Sequence, residues 1–208
     1  MSKFESDLNA EQILTEYLDI IYSEIGFSTT RVFDSERQNI GIDLVITHKQ
    51  KNYTIDEKSQ LHYLNQRLPT FAFELDYLKK GLLKKGWLFD RRKATQFYFL
   101  VTEIILNNGM QALESKYDVE SIKILSVNRN RLIRLLAAKS LKEDSINEII
   151  KGLRKKKEFG RHSLPNLDKR REGIIHFNKS LAEQPINLVL KLDFLIKEKV
   201  AKVIYPIS

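Results

Sequence analysis

Asp43, Asp56 and Lys58 are the residues whose types and spacing could do chemistry. Gly41-Ile42-Asp43-Leu44 and Thr54-Ile55-Asp56-Glu57-Lys58 each set an acid among apolar neighbours in a stretch with strand character. Side chains alternate along a strand, so Asp56 and Lys58 share one face while Ile55 and Glu57 take the other. Two carboxylates beside an ammonium suit metal-assisted phosphodiester hydrolysis. The acids hold Mg²⁺, and the lysine orients the attacking water or steadies the developing negative charge. Mn²⁺ prefers the same oxygen ligands and is expected to substitute. The chain has no cysteine, which excludes a disulfide framework, a thiolate zinc site and a cysteine nucleophile. His48, His62, His162 and His176 show no metal-ligand spacing.

The elements that must position these groups can be read from periodicity. Residues 9–25 predict an amphipathic helix with Ile13, Leu14, Tyr17, Leu18, Ile21 and Ile25 on one stripe, closed by Gly26. Thr30–Phe33 predicts a first strand, and residues 42–47 and 53–58 a hairpin joined through His48–Asn52. A two-residue turn at Lys49-Gln50 sets Asp43 opposite Asp56, so that both acids and Lys58 converge. A turn one residue longer sets Asp43 against Glu57 instead, and the sequence alone leaves both open.

Residues 68–73 predict an extended segment or tight turn. Leu75, Leu78, Leu82 and Leu83 then show helical spacing, interleaved with Lys79, Lys80, Lys84 and Lys85. Residues 95–105 are apolar on both faces, as in a strand covered on two sides. A strand over 122–127, a helix over 128–141 and a second helix from a capping box at Ser145 to about Lys157 follow, with a late strand at 185–190.

Helix, three strands with acids on the second and third, helix, strand: this αβββαβ order, with Asp43 and Asp56-x-Lys58, resembles the PD-(D/E)xK nuclease superfamily. Gly41-Ile42 precedes Asp43 where the family name calls for proline. The resemblance covers roughly residues 9–105 and implies an α/β, restriction-endonuclease-like core with a mixed central sheet flanked by helices. It implies that Asp43 and Asp56 coordinate Mg²⁺ and that Lys58 positions or activates water. Many members add an acid from the first helix, for which Glu16 and Asp19 are the candidates. Gln60 continues the Asp56/Lys58 face as a polar accessory, and Gln38 is a weaker candidate. The plainer alternative makes Asp43 a strand-entrance cap and Asp56–Lys58 an edge-strand ion pair, worth about 0–1 kcal/mol. That explains poorly why an acid stands between Ile42 and Leu44.

Charge is unevenly spread over a chain of 208 residues and net charge +8. Residues 1–60 carry −5 and residues 123–171 carry +10, as expected if one part collects metal and the other phosphate. Arg129, Arg131 and Arg134, then Arg154-Lys155-Lys156-Lys157 and Arg161, are the expected nucleic-acid contacts, with double-stranded DNA as the partner. Such contacts give salt-sensitive binding without reading sequence. A homodimer would suit the cutting of two strands. No apolar run is long enough to span a membrane, and no export signal is read at the amino terminus, so a cytoplasmic protein is expected.

A single nuclease-like domain is expected, with its core at about 9–127 and a basic helical extension and final strand at about 128–208. Two readings compete with a DNA-directed nuclease. One is a catalytically inactive DNA-binding protein on the same core, using 128–142 and 145–157 as a helix-turn-helix-like pair. The other is an RNA-directed nuclease.

Overall fold

In the computed structural model, which describes residues 3–207, the first helix α1 (Lys3–Glu24) turns Leu14, Leu18, Ile21 and Tyr22 into a core formed with Leu44, Ile46, Ile55, Phe99 and Val101. The protein is α/β and divides into two compact units. Unit 1 comprises Met1–Leu68, Ala94–Val127 and Lys202–Ser208, and unit 2 comprises Pro69–Lys93 and Asn128–Ala201. Residues 69–93, expected within the core, therefore belong with the basic region.

Unit 1 is built on a six-stranded mixed sheet. Its strands are β1 (Ser28–Arg31), β2 (Leu44–His48), β3 (Lys51–Ser59), β6 (Phe97–Leu106), β7 (Val119–Asn128) and β11 (Ala201–Tyr205), in that spatial order. β1–β2 and β2–β3 are antiparallel, whereas β3–β6 is parallel. The hairpin closes through Lys49 and Gln50 with φ of 49° and 62°, both left-handed as a two-residue type I′ turn requires. The ladder runs from His48↔Lys51 to Leu44↔Ile55. This is the tight-turn register, the one that sets Asp43 level with Asp56. Tyr98, Phe99, Leu100 and Val101 on β6 are all buried, which explains why that strand is apolar on both faces.

A short helix that sequence reading missed, α2 (Ser35–Asn39), precedes β2. Asp34 caps it, its carboxylate accepting from the amides of Glu36 and Arg37 at 3.1 and 3.2 Å. Gly41, at φ 76°, turns the chain into β2, and the Thr95 hydroxyl donates to its carbonyl at 2.7 Å.

Unit 2 holds a five-stranded antiparallel sheet of β5 (Leu82–Lys85), β4 (Thr70–Lys79), β10 (Ile186–Lys191), β9 (Gly173–Phe177) and β8 (Gly160–His162), in that order. Its helices are α3 (Arg129–Ala138), α4 (Glu143–Lys156) and α5 (Leu192–Lys197). The helix expected over 75–85 is instead the β4–β5 hairpin, so the αβββαβ order is not reproduced there. The leucine spacing imitated a helical period, but the burial has period two: Phe71, Phe73 and Leu75 are buried, with exposed Ala72 and half-buried Glu74 between them. Lys80 and Gly81 adopt φ of 52° and 76° and turn the chain back. The capping box expected at Ser145 is also displaced. The helix N-cap is Lys142, three residues before Ser145, with Glu143 and Asp144 in the first turn of α4, where negative charge complements the helix dipole.

Candidate active site

The acids stand where β2 begins and where β3 approaches its end. Asp43 is pinned through its backbone on both sides: its N–H donates to Ile55 O at 2.9 Å, and its carbonyl accepts from Val32 N, also at 2.9 Å. Its side chain is held as well, because Oδ2 accepts from the Glu57 amide at 2.8 Å. Asp56 is 1% exposed. Lys58 Nζ donates to Asp56 Oδ1 and, at 3.3 Å, to the Glu57 carbonyl. Asp43, Asp56 and Lys58 are thus brought together, and the Glu57 peptide touches two of them.

A cleft of about 720 Å³ opens beside this group. Asp43, Glu57, Lys58 and Ser59 line it from the strands, Glu11, Gln12 and Thr15 from α1, and Arg31, Phe33 and Gln38 from the segment between. Phe33 is 86% exposed at this cleft. Asp56 does not line it but is bonded to Lys58, which does. Burial raises the Asp56 pKa to about 6, with the neighbouring Asp43 adding to the rise and Lys58 opposing it. Its Oδ2 is buried and has no hydrogen-bond partner among the described residues. A buried, orphaned carboxylate oxygen beside a second acid is a position that a cation satisfies. Mg²⁺ is commonly held by one or two carboxylates, keeping waters and taking phosphate oxygens for the rest. Asp43 and Asp56 fit that requirement. Among the described residues no group of three or more acids or histidines gathers around one point.

The helix acids do not join the pair. Asp19 is taken by Arg31, whose Nε lies 2.8 Å and Nη2 2.7 Å from Asp19 Oδ1. Glu16 is more than half exposed and lies 3.8 Å from Lys116. Gln60 does not line the cleft; its amide donates to Val101 O at 3.0 Å. Gln38 lines the cleft and donates to Val32 O at 2.9 Å.

Sequence reading missed a part-buried network at the same cleft. Glu57 points away from Asp56, towards α1 and β1, where it accepts from the Tyr22 hydroxyl at 2.6 Å and from Arg31 Nη1. Burial pushes the Glu57 carboxyl up, and Arg31 pulls against that rise. The Tyr22 phenol is driven well above its usual range by burial and by Glu57. The signal was present in the alternation of β3, which sends Glu57 to the helix side, but nothing local to Glu57 names partners 26 and 35 residues away.

The expected nucleic-acid contacts all lie in unit 2 and divide into two groups. Arg129 is 8% exposed and donates to Asp90 O at 2.8 Å. Arg154 makes a two-pronged bond to Asp76, with Nε–Oδ2 at 2.8 Å and Nη2–Oδ1 at 2.5 Å. These two serve the interior of the unit. Arg131, Arg134, Lys155, Lys156, Lys157 and Arg161 remain exposed. No described helix is long and apolar enough to cross a membrane. Compared with protein-family models, with curated proteins and with solved structures, the chain matches none.

Proposed function

We propose that this protein is a metal-dependent nuclease that hydrolyses phosphodiester bonds, most naturally in DNA, on a core of the restriction-endonuclease-like kind. The observation that carries this reading is the convergence of Asp43, buried Asp56 and Lys58 beside an open cleft. A structural ion pair needs one acid for one lysine. Here two acids and a lysine meet, one acid is buried with an orphaned oxygen, and its proton affinity is raised. That arrangement costs stability in the absence of a cation and makes sense as a cation's seat.

Bound Mg²⁺ would lower the pKa of coordinated water and offset charge on the phosphoryl oxygens. Asp43 and Asp56 would hold the ion, Asp43 kept in line by the Glu57 amide. Lys58 can place its ammonium over a phosphate oxygen at the cleft, where the extra negative charge develops as water adds to phosphorus and the ester P–O bond breaks. The exposed cations of unit 2 supply salt-sensitive attraction for the phosphate backbone.

The test is cleavage of plasmid, single-stranded DNA and RNA with Mg²⁺ or Mn²⁺, comparing wild type, Asp56→Ala and Lys58→Ala. DNA cutting is expected to require metal, to vanish in Asp56→Ala and to fall by about 10²-fold or more in Lys58→Ala. Cutting that persists in Asp56→Ala, or no cutting of any substrate with either metal, would remove the proposal. Preferential cutting of RNA would move the substrate class.

A further inference from the structure

The β4–β5 hairpin carries exposed apolar side chains among cations. Leu82 and Leu83 are 63% and 56% exposed, and Lys79, Lys80, Lys84 and Lys85 are exposed around them. The pairing Tyr77↔Lys84, Leu78↔Leu83 and Lys79↔Leu82 sorts these residues by face. One face presents Tyr77, Lys79, Leu82 and Lys84, with Lys80 at the turn. The other carries Leu78, Leu83 and Lys85, and Lys85 is tied to Glu143. Among the described residues, Lys79, Lys80 and Lys84 have no carboxylate within ion-pair distance. β5 is the end strand of its sheet. Lysine alone would be an ordinary way to protect such an edge from pairing, but two exposed leucines on the same four-residue strand work against that purpose.

We propose that this hairpin is a docking element for duplex DNA, entering the major groove with the Lys79/Lys80/Lys84 face against the phosphates and Leu82 against base edges. Charge complementarity points to the class of partner: Lys79, Lys80 and Lys84 are exposed and outside the ion pairs, and suit a polyanion, while Glu74, Asp90 and Glu183 act on Tyr77 at the base of the hairpin. The dimensions agree: two strands about 4.8 Å apart form a ribbon, and the major groove, about 12 Å wide, admits a two-stranded ribbon. An apolar side chain at the groove floor can meet a thymine methyl. The proposal deepens the nuclease reading, since it names the form of the substrate, but it concerns binding and can be tested apart from cleavage.

The experiment measures fluorescence anisotropy with a labelled 20-base-pair duplex and its single strand, in EDTA, across a salt series. The chains compared are wild type, the triple variant Lys79→Gln/Lys80→Gln/Lys84→Gln, and Leu82→Ser. Removing one phosphate contact lowers the slope of log K against log salt by about 0.9, so the triple variant is expected to give up about 2–3 of the slope and at least about tenfold in duplex affinity at low salt. Leu82→Ser is expected to weaken duplex binding about fivefold with the slope kept, because it removes an apolar group and no charge. All four positions are exposed, so circular dichroism should be unchanged.

Wild-type affinity and slope retained by the triple variant would overturn the proposal, as would a wild type that does not bind duplex. So would equal losses on duplex and single strand, or binding to vesicles rich in anionic lipid that Leu82→Ser abolishes while duplex binding stays intact. Cleavage by the same preparations with Mg²⁺ separates the two claims. Hairpin-dependent binding without cutting leaves the docking element standing and removes the nuclease, and cutting with hairpin-independent binding does the reverse.

Discussion

Replacing Asp56 with asparagine should stabilise the metal-free protein while abolishing the activity proposed for it. Burial and the neighbouring Asp43 raise the Asp56 pKa from 3.8 to about 6. A rise of that size corresponds to about 3 kcal/mol of destabilisation carried by the charged form at neutral pH. The asparagine would carry no charge, and its amide fits the same volume. Its carbonyl oxygen still accepts from Lys58, so only the charge assistance of that bond is lost, and Lys58, with its side chain 31% exposed, can also turn to water; a net gain of about 2 kcal/mol is expected in EDTA at pH 7.5. The pH dependence has a definite sign. Between pH about 4 and 6 the native aspartate binds more proton than the unfolded one, so wild-type stability falls relative to Asp56→Asn as pH rises through that window. Below it the difference disappears, and above it the difference is flat. Urea unfolding of both proteins at pH 4, 5, 6 and 7.5 measures this directly. Mg²⁺ at ten times its dissociation constant should then return about 1.4 kcal/mol to wild type and nothing to the variant. A variant less stable than wild type at pH 7.5 in EDTA, or a difference independent of pH, would refute the reasoning.

The Glu57 network should divide unequally. Arg31→Met leaves a buried carboxylate without its cation and should cost about 3–5 kcal/mol, whereas Tyr22→Phe removes one bond to a charged acceptor and should cost about 1.5–3 kcal/mol. Urea midpoints that place Tyr22→Phe at or beyond Arg31→Met would contradict the assignment of Arg31 as the main counter-charge. Glu16→Gln should leave Mn²⁺ affinity unchanged by titration calorimetry, since Glu16 faces Lys116 and stands apart from the acid pair; a tenfold loss would return it to the metal site. In the hairpin, Gly81→Ala meets open space at φ +76°, so its cost is backbone conformation alone, about 1–2 kcal/mol. Faster amide exchange across the Leu78↔Leu83 pair, with the rest of the unit unchanged, checks it.

Legibility in the sequence depended on whether the signal was local. Alternation along β3 is enough to place Asp56 and Lys58 on one face, and the left-handed turn at Lys49-Gln50 decides between the two registers that the sequence leaves open. α1, β6, β7, α3 and β10 followed from periodicity and apolar runs. The β4–β5 segment failed because leucines at 75, 78 and 82 fit a helical period as well as alternation fits Phe71, Phe73 and Leu75. The Lys80-Gly81 pair was the deciding signal, a two-residue turn that no helix interior would favour. Arg154 was read as a surface cation because it opens a basic run. Its partner Asp76 is 78 residues away, and no local pattern announces a pair across that separation. The split into two units was equally hidden, since the chain leaves unit 1 after Leu68 and returns at Ala94 with no linker composition at either crossing.

Glu57 shows why the acid pair can persist despite its cost. Its carboxylate is fixed to Tyr22 and Arg31 on the helix side of the sheet, its amide holds Asp43 Oδ2, and its carbonyl accepts from Lys58. One residue with an anchored side chain therefore presents its own peptide to two of the three groups on the opposite face. Lysine at 58 alone could not keep two like charges level, because its ammonium is partly exposed at the end of a long four-carbon stem. The anchor is thus placed on the strand between the acids rather than on Asp56 itself. Asp56 Oδ2 has no protein partner among the described residues, which is the opening that the proposed cation would fill. The strain of an unsatisfied carboxylate is thus confined to the one place where a cation would relieve it, while the supporting charges around Glu57 are all paired.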